Sequence, residues 1–372
     1  MVNNLQQRSQ AIDVMRGLTV ALMIMVNMSG NQPYAYAPFL HAEWNGLTMT
    51  DLVFPTFMFV VGIALSYTIG KYQTLGNAAV LKKVFTRTAL IFLAGFLMYW
   101  FPFFEFNSSG NLSLLPFSET RILGVLQRIA LGYCAASLIL HYVKERGAII
   151  FSVIALFGYW ALMYIFGDYT LTGNAGLALD RLVMGDKHLC QCDNMAFDPE
   201  GILSTLPAIV NVIGGYFAGR FIQQRGSNFE TIAKLMMAGM LCIVVALIWN
   251  SVFPINKKLW TSSFVCVTVG IDLLVLATLV FIIDMQKKHR WPYFFEAFGK
   301  NTLFIYLFSE IVMISLGRVY VGSEVLMEWI YSHVFQPWAS DKNATLLFAI
   351  TVTLGCWLVA YVMDKKRIYI KF

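Results

Sequence analysis

The stretch Thr50–Gly70, TDLVFPTFMFVVGIALSYTIG, has a single charged residue among its 21 positions. An α-helix rises about 1.5 Å per residue, so a run of this length crosses the roughly 30 Å hydrocarbon core of a bilayer. Comparable apolar runs of about 18 to 24 residues recur along the whole chain. The sequence therefore predicts an all-α fold, a polytopic bundle of membrane helices.

The overall composition excludes the main alternatives to a helical membrane protein. Hydrophobic residues make up 58% of the 372 positions and charged residues 13%, whereas about 25% of the residues of a soluble domain are charged. A transmembrane barrel would show roughly ten-residue segments of alternating polarity. We interpret residues 1–372 as a single transmembrane domain. The net charge of +6 is accounted for by loop cations, so we expect no nucleic-acid partner.

The apolar runs predict about ten membrane spans, and the loop charges predict their orientation. The spans are expected near 14–33, 50–70, 86–104, 122–142, 148–167, 202–222, 233–253, 262–284, 295–316 and 344–363. An even number places both termini on one side. The loop cations concentrate on that same side, which predicts cytoplasmic termini; they include Lys82, Lys83, Arg87, Lys144, Arg146, Arg220, Lys287, Lys288 and the tail Lys365–Arg367.

Three polar residues lie around the outer connection between the first two spans. Asn27 is near the end of span one, His41 is in the short connection, and Asp51 is at the start of span two. A carboxylate orients an imidazole and raises its basicity, and an amide can donate to a developing oxyanion. This set resembles part of an acyl-transfer site, although Asp51 is equally suited to capping the second helix.

A second polar group begins the fourth span. Arg121 and Arg128 are seven residues apart, on nearly the same helix face, and Gln127 precedes the second arginine. This pattern favours either a hydrated cavity that holds an anionic or carbonyl-rich ligand, or a structural ion pair of Arg128 with Asp272 or Glu310.

Other outer segments carry further candidates. Lys257 and Lys258 depart from the cytoplasmic bias of the cations and are candidates to bind substrate hydroxyls or acids. The segment Asp198-Pro-Glu-Gly201 is suited either to holding an amine or to beginning a helix. Cys190 and Cys192 form a Cys-Gln-Cys sequence that is consistent with a disulfide, a pair of metal ligands or free thiols. We expect no metal site.

Together these motifs resemble the heparan-alpha-glucosaminide N-acetyltransferase family of transmembrane acyltransferases. The match is ordered and spans nearly the whole chain. It consists of Ile12-Asp-Val-Met-Arg-Gly-Leu18, Met25-Val-Asn27, His41-Ala-Glu-Trp-Asn-Gly46, Thr50-Asp-Leu-Val-Phe-Pro55, Arg121-Ile-Leu-Gly-Val-Leu-Gln-Arg128, Asp198-Pro-Glu-Gly-Ile202, Asn256-Lys-Lys-Leu-Trp260, Phe298-Gly-Lys-Asn-Thr-Leu303 and Phe308-Ser-Glu310.

The resemblance implies an enzyme that takes acetyl-CoA from the cytoplasm and acetylates the amino group of a glucosamine-type sugar across the membrane. The catalytic histidine of the family corresponds to His41 and its partner asparagine to Asn27, and we add Asp51 as the group that orients His41. Substrate or cofactor binding is assigned to Asn45, Arg121, Gln127, Arg128, Lys257, Trp260 and Glu310.

The resemblance also implies a cellular setting. We expect a compact bacterial-type member in the inner membrane, surrounded by membrane lipid, with its active site open to the periplasm. The acceptor would be a small amino sugar or the terminal glucosamine of a glycan. The family further suggests a homodimer. Candidates for the CoA nucleotide are Lys82, Lys83, Arg87, Lys287, Lys288 and Arg290, which are also sufficient as topology signals.

Two other functions stay open at this point. One is a secondary transporter of an amino sugar or its acetylated form, with Arg128, Asp272 and Glu310 as a coupling network. The other is an acyltransferase that modifies hydroxyls of a polysaccharide or lipid. Within the N-acetyltransferase interpretation, His41 is either a general base or an acetyl carrier.

Overall fold

Helices form almost all of the secondary structure. The structure is a computed structural model that describes residues 9–28, 30–72, 75–106, 111–192, 195–288 and 291–370. The helices are α1 (Gln10–Asn27), α2 (Met49–Tyr72), α3 (Asn77–Trp100), α4 (Val125–Tyr142), α5 (Lys144–Phe166), α6 (Ala175–Met184), α7 (Ile202–Arg225), α8 (Phe229–Trp249), α9 (Ser262–Leu279, continued by a π-turn, Val280–Met285), α10 (Pro292–Lys300), α11 (Thr302–Leu316), α12 (Leu326–Ile330) and α13 (Asp341–Lys365).

Short antiparallel hairpins occupy three of the connections. They are β1 (Phe104–Phe106) with β2 (Leu112–Leu114), β3 (Gln191–Cys192) with β4 (Met195–Ala196), and β5 (Tyr320–Val321) with β6 (Glu324–Val325). Each has only two or three residues in a strand, so none forms a sheet large enough to contribute a core of its own.

The number of described helices that are long and apolar enough to cross a membrane is smaller than the ten predicted spans. Among the described residues, seven helices are long and apolar enough to cross a membrane, and eight if α10 and α11 count as one bent span. Helices also occupy the third and fourth predicted positions, but α3 carries Lys82, Lys83 and Arg87, and α4 contains Gln127 and Arg128. The two residues of α4 are buried, so that helix is polar towards its protein neighbours.

The predicted span 295–316 is a broken element rather than one straight helix. Helices α10 and α11 meet at an angle of 85°. The side chain of Asn301 lies at the break, where its amide donates to the carbonyl of Ile368 (2.9 Å) and its oxygen accepts from the N–H of Ile370 (2.9 Å). These bonds to the C-terminal segment tie the break to a second part of the chain, which the local apolar pattern does not reveal.

Helices α2 and α7 pack with their backbones in near contact. A Cβ atom at Gly62 would lie 1.8 Å from the carbonyl oxygen of Val212, and one at Gly215 would lie 1.8 Å from that of Phe59. Small residues of this kind allow membrane helices to approach closely. This pair therefore forms the centre of the bundle, and the start of each of its helices contributes to the site described next.

Candidate active site

His41 and Asp51 form the centre of the site. The imidazole Nδ1 lies 2.6 Å from the Asp51 Oδ1 atom. The other carboxylate oxygen accepts from the backbone N–H of Ala42 (3.1 Å) and from the N–H and hydroxyl of Thr48 (both 3.0 Å). An ionised carboxylate only accepts hydrogen bonds, so Nδ1 carries a proton, and in the neutral form of the ring Nε2 presents the lone pair. The Asp51 side chain is 1% exposed and that of His41 is 45% exposed, so the fixed partner is buried and the reactive ring is accessible.

Lys257 contacts the imidazole directly. Its Nζ lies 3.1 Å from Nδ1 and 3.3 Å from Nε2 of His41, and 3.7 Å from Asp51 Oδ1. Burial lowers the pKa of the Lys257 amine, and the Asp51 and Glu200 carboxylates oppose that shift. The sequence predicted Lys257 as a substrate-binding residue. Its position beside His41 makes it a cation next to the reacting centre, where positive charge can stabilise a developing oxyanion.

Hydrogen bonds between two loops hold His41 and Lys257 together. The side chain of Asn256 donates to Asn45 (3.1 Å), and the N–H of Gly46 donates to the carbonyl of Ile255 (2.8 Å). Asn256 is fully buried, and its oxygen accepts from the N–H of Leu259 (2.8 Å). Asn45, which we predicted to bind substrate, therefore links the His41 loop to the Lys257 loop in this structure.

Arg121 is neutralised by two carboxylates from the segment before α7. Its guanidinium donates to Asp198 through Nε (2.9 Å) and Nη2 (2.6 Å), and to Glu200 through Nη2 (2.5 Å). Burial opposes the charged forms, but the pairing raises the pKa of Arg121 and the two arginines Arg121 and Arg128 lower that of Glu200. The sequence placed Arg121 in a ligand cavity and left Asp198 and Glu200 unassigned as its partners. The opposite charges of Arg121 and of Asp198 and Glu200 were the available signal.

Arg128 lies deeper and contacts different groups. Its Nη2 donates to the carbonyl of Gly201 (3.2 Å) and to the hydroxyl of Ser204, and its guanidinium carbon lies 4.8 Å from the ring centroid of Trp260. The Trp260 indole donates to Asn211 (3.1 Å). The side chain of Arg128 is thus held by α7 and by the loop that carries Lys257. Its Nε and Nη1 atoms, and both amide atoms of the fully buried Gln127, have no hydrogen-bond partner among the described residues.

The structure does not assemble the ion pairs that were an alternative for Arg128. Asp272 accepts from the hydroxyl of Thr56 (2.6 Å), and Glu310 is hydrogen-bonded by Asn27. The residues of the postulated transporter network therefore have separate partners. Asn27, predicted to lie beside His41, has its hydrogen bond with Glu310 at the junction of α1 and α11.

Asp180 lies beneath the start of α7 and was not singled out by the sequence. It is buried, and its Oδ1 accepts from the N–H of Ile202 (2.8 Å). A Cβ atom at Gly201 would lie 1.9 Å from the Asp180 Oδ2 atom, so only glycine fits between the carboxylate and the helix. Burial raises the pKa of Asp180 to about 6.

Replacing Asp180 by Asn is expected to stabilise the protein above pH 6 and to change little near pH 4. A raised native pKa means that the folded state binds the proton more tightly than the unfolded state, so wild-type stability falls as the pH rises through this range. Asparagine keeps an oxygen for the Ile202 N–H and removes the ionisation, a gain of roughly 2 to 3 kcal/mol at pH 8. Thermal unfolding of both proteins from pH 4 to 8 tests this. A difference that is the same at every pH would contradict it.

Cys190 and Cys192 form a disulfide that links β3, which ends at Cys192, to the residue just before that strand. This is one of the three alternatives that the Cys-Gln-Cys sequence allowed. In the described ranges, no group of three or more His, Cys, Asp or Glu side chains is arranged to hold a metal ion.

Comparison with known proteins supplies the family. A model described as an acyltransferase domain matches residues 9–364. The chain is 28% identical to the heparan-alpha-glucosaminide N-acetyltransferase of Homo sapiens over an alignment of 431 positions, gaps included, and 27% identical to that of Mus musculus over 427 positions. These alignments cover 99% and 98% of this chain but 60% of each relative, so the chain spans about three fifths of their length. With the family model covering almost the whole chain, this protein belongs to the acyltransferase-domain family and resembles its heparan-alpha-glucosaminide N-acetyltransferases.

Proposed function

We propose that this protein transfers an acetyl group from acetyl-CoA to the amino group of a glucosamine-type sugar, with His41 in the central role. The observation that carries the proposal is the contact of one accessible imidazole with a buried carboxylate and a mostly buried lysine. A base oriented by a carboxylate beside a cation is the arrangement that acyl transfer to an amine requires. The similarity to heparan-alpha-glucosaminide N-acetyltransferases supports the choice of the acetyl group and of the acceptor.

The proposed step is an attack of the sugar nitrogen on the thioester carbonyl carbon. The sugar amine attacks as neutral –NH2 through its lone pair, and the proton that the nitrogen loses as the C–N bond forms passes to His41 Nε2. As the C–N bond forms, the carbonyl oxygen becomes negative and the Lys257 ammonium stabilises it. The C–S bond then breaks, and the leaving CoA sulfur takes a proton from His41. The products are the acetamido sugar and free CoA thiol.

The second proposed route passes through an acetyl-histidine. Here His41 Nε2 attacks the thioester carbon, the C–S bond breaks, and CoA leaves as the thiolate and takes a proton from solvent. The neutral amine then attacks the acetyl group on the imidazole and loses one proton to solvent, which restores the neutral His41 ring. Both routes need Nε2 unprotonated at the start and Asp51 fixed at Nδ1. They differ in whether CoA is released before the acceptor binds.

The proposed topology has ten spans, with cytoplasmic termini and His41 on the outer side. The loop cations support this orientation, and helices are present at each of the ten predicted positions, with the last but one bent. In this arrangement acetyl-CoA enters from the cytoplasm and the amino sugar from the periplasm of a bacterial cell. Because the two substrates enter from opposite sides, only the acetyl group crosses the membrane. The net reaction is therefore transfer of that group rather than transport of either substrate.

The direct test is release of CoA thiol by the purified protein. Acetyl-CoA with glucosamine should give thiol and N-acetylglucosamine in equal amounts, while acetyl-CoA with glucose should give no acetylated product. Glucose is the matched control because it carries a hydroxyl where glucosamine has its amine. Acetylation of glucose but not of glucosamine would move the proposal to the hydroxyl-acceptor class. No turnover with either sugar or with glycans that end in glucosamine would refute it.

A further inference from the structure

The turn that carries Lys257, residues 256–261, has an unusual residue near its end. The N–H of Thr261 donates to the carbonyl of Asn256 (3.1 Å), and the N–H of Trp260 donates to that of Lys257 (3.0 Å). These two bonds form the pattern of a Schellman motif, whose left-handed position is usually a glycine. That position is held here by Trp260, with a φ of +53°. A bulky side chain is an outlier in this conformation, and such outliers persist where the surrounding structure fixes them for a function.

The indole of Trp260 is anchored in the core of the bundle. Trp260 is 1% exposed, and its Nε1 donates to Oδ1 of Asn211 on α7 (3.1 Å). Its ring meets the ring of Phe54 on α2 edge to face, with 4.9 Å between the centroids. The guanidinium of Arg128 on α4 lies on the same indole. The side chain of Trp260 therefore connects the turn at residues 256–261 to three helices.

Asn211 is itself fixed in one orientation. It is fully buried, and its Nδ2 donates to the hydroxyl of Thr268 on α9 (3.0 Å). With the nitrogen directed to Thr268, the amide oxygen faces the indole N–H, which a buried tryptophan needs to have paired. Both Asn211 and Trp260 are enclosed by protein, so any effect of theirs on the reaction acts through another residue.

We propose that Trp260 and Asn211 are positioning residues for acetyl transfer, which hold the Lys257 ammonium against His41. The inference rests on the proposed function for the role of Lys257 in the reaction. Lys257 opens the turn that Trp260 closes, and its Nζ lies 3.1 Å from Nδ1 of His41. The indole also packs on α2, the helix that carries Asp51. A reacting group displaced by about 1 Å can cost about 10²-fold in rate, so a small loosening of this turn is sufficient to slow transfer.

The kinetic test uses Trp260→Phe, which keeps an aromatic ring on Arg128 and removes the N–H donor. It should lower kcat for acetyl transfer to glucosamine about 10- to 100-fold. The KM values for both substrates should stay within about twofold, because the indole is enclosed by protein. Trp249→Phe is the matched control, since Trp249 is also buried and its N–H has no hydrogen-bond partner among the described residues. It should leave kcat within about twofold of the wild type.

A double variant separates positioning from folding. Asn211→Leu alone leaves the indole N–H buried and unpaired, so it should lower both thermal stability and kcat. The double variant Trp260→Phe with Asn211→Leu leaves neither partner unpaired, so its thermal unfolding should return close to that of the wild type. Its kcat should stay low, because the hydrogen bond that fixes the turn is still absent. Recovery of kcat together with stability would show a merely structural role.

A second readout reports the position of Lys257 without any enzyme activity. Competitive labelling of the whole chain with acetic anhydride, followed by mass spectrometry, gives the pKa of the Lys257 amine relative to the exposed Lys187. The charged and titratable groups that surround this amine are His41, Asp51, Glu200 and Lys258. Burial lowers its pKa, Lys258 adds to that shift, and the two carboxylates oppose it.

Loosening the turn should expose the amine to water and raise its pKa towards the ordinary value. This rise is expected in Trp260→Phe and in the double variant, and not in Trp249→Phe. The alkaline limit of activity should move to higher pH in the same variants, because Lys257 acts as an ammonium.

An unchanged Lys257 pKa in both Trp260 variants would overturn the positioning role, as would a raised pKa with an unaltered kcat. If the wild type transfers no acetyl group to any acceptor, the proposed function is refuted, and the labelling still decides whether Trp260 and Asn211 hold Lys257 in place. Transfer by the wild type with no change in kcat or labelling among the variants would refute only the positioning role.

Discussion

His41→Gln is expected to lower the rate of acetyl transfer to glucosamine by about 10³-fold or more. Glutamine retains an N–H that can reach Asp51, so the loop stays anchored, but an amide has no basic nitrogen to replace Nε2. Loss of a positioned general base typically costs 10²- to 10⁴-fold, and loss of an acetyl carrier removes the route altogether. The measurement is the initial rate of N-acetylglucosamine formation, with circular dichroism to confirm that the helices are intact.

The control for this variant is His188→Gln. His188 is a half-buried histidine whose Nδ1 contacts the carbonyl of Thr120 at 2.8 Å, so it matches His41 in residue type without contacting Asp51. Its replacement should leave the rate within about twofold of the wild type. Equal losses in the two variants would show that His41 has no special role in transfer.

The wild type and His41→Gln together distinguish the acetyl-histidine route from the ternary-complex route. An excess of acetyl-CoA mixed with wild-type protein and no acceptor should release one CoA per protein if an acetyl-histidine forms. The ternary-complex route should release none until glucosamine is added. His41→Gln should release none in either case.

Asp51→Asn is expected to lower the same rate by about 10²- to 10⁴-fold. Asparagine has the size of aspartate, but its amide group can donate to Nδ1, which would leave the proton of the neutral imidazole on Nε2. The nitrogen that faces the substrate would then be a donor and unable to accept a proton, the effect expected when a carboxylate that orients a catalytic histidine is lost. The loss should fall on kcat/KM with acetyl-CoA and glucosamine at any pH at which the wild type is active.

Asp186→Asn is the matched control for the Asp51 variant. Asp186 has a 61% exposed carboxylate that pairs with Arg181 at 2.8 Å, and exposed pairs contribute about 1 kcal/mol or less. Its replacement should leave both activity and thermal stability nearly unchanged. If Asp51→Asn kept more than half of the wild-type rate, Asp51 would be a helix-capping and loop-anchoring residue only.

The helices were predictable because their signal is local. The apolar residues of each segment predict a helix in that segment, and helices are present at all ten predicted positions. The prediction was wrong about the form of residues 295–316, because the break at Asn301 is fixed by hydrogen bonds to Ile368 and Ile370, more than 60 residues away. The predicted number of membrane spans, ten, was also higher than the seven or eight described helices that are long and apolar enough to cross a membrane. One reason is that α4 turns its polar residues towards protein.

The proximity of His41 and Asp51 was predictable, and the contacts between segments distant in sequence were not. The proximity of His41 and Asp51 followed from a short connection, and the structure places them 2.6 Å apart. The contact of Lys257 with His41 joins residues that are 216 positions apart, and the pairing of Arg121 with Asp198 joins residues 77 positions apart. No local pattern around Lys257 or Arg121 specifies which distant residue its side chain will contact.

The sequence by itself determined that this chain forms a helical bundle, which short motifs carry its polar chemistry, and which family it resembles. These properties depend on residue type and on spacing along one helix or loop. Only the tertiary structure decided that Lys257 lies against the His41 imidazole, that Arg121 is neutralised by two acids, and that Asn27 contacts Glu310. A buried charge is stable only beside a partner, and that partner is chosen by how helices distant in sequence pack against one another.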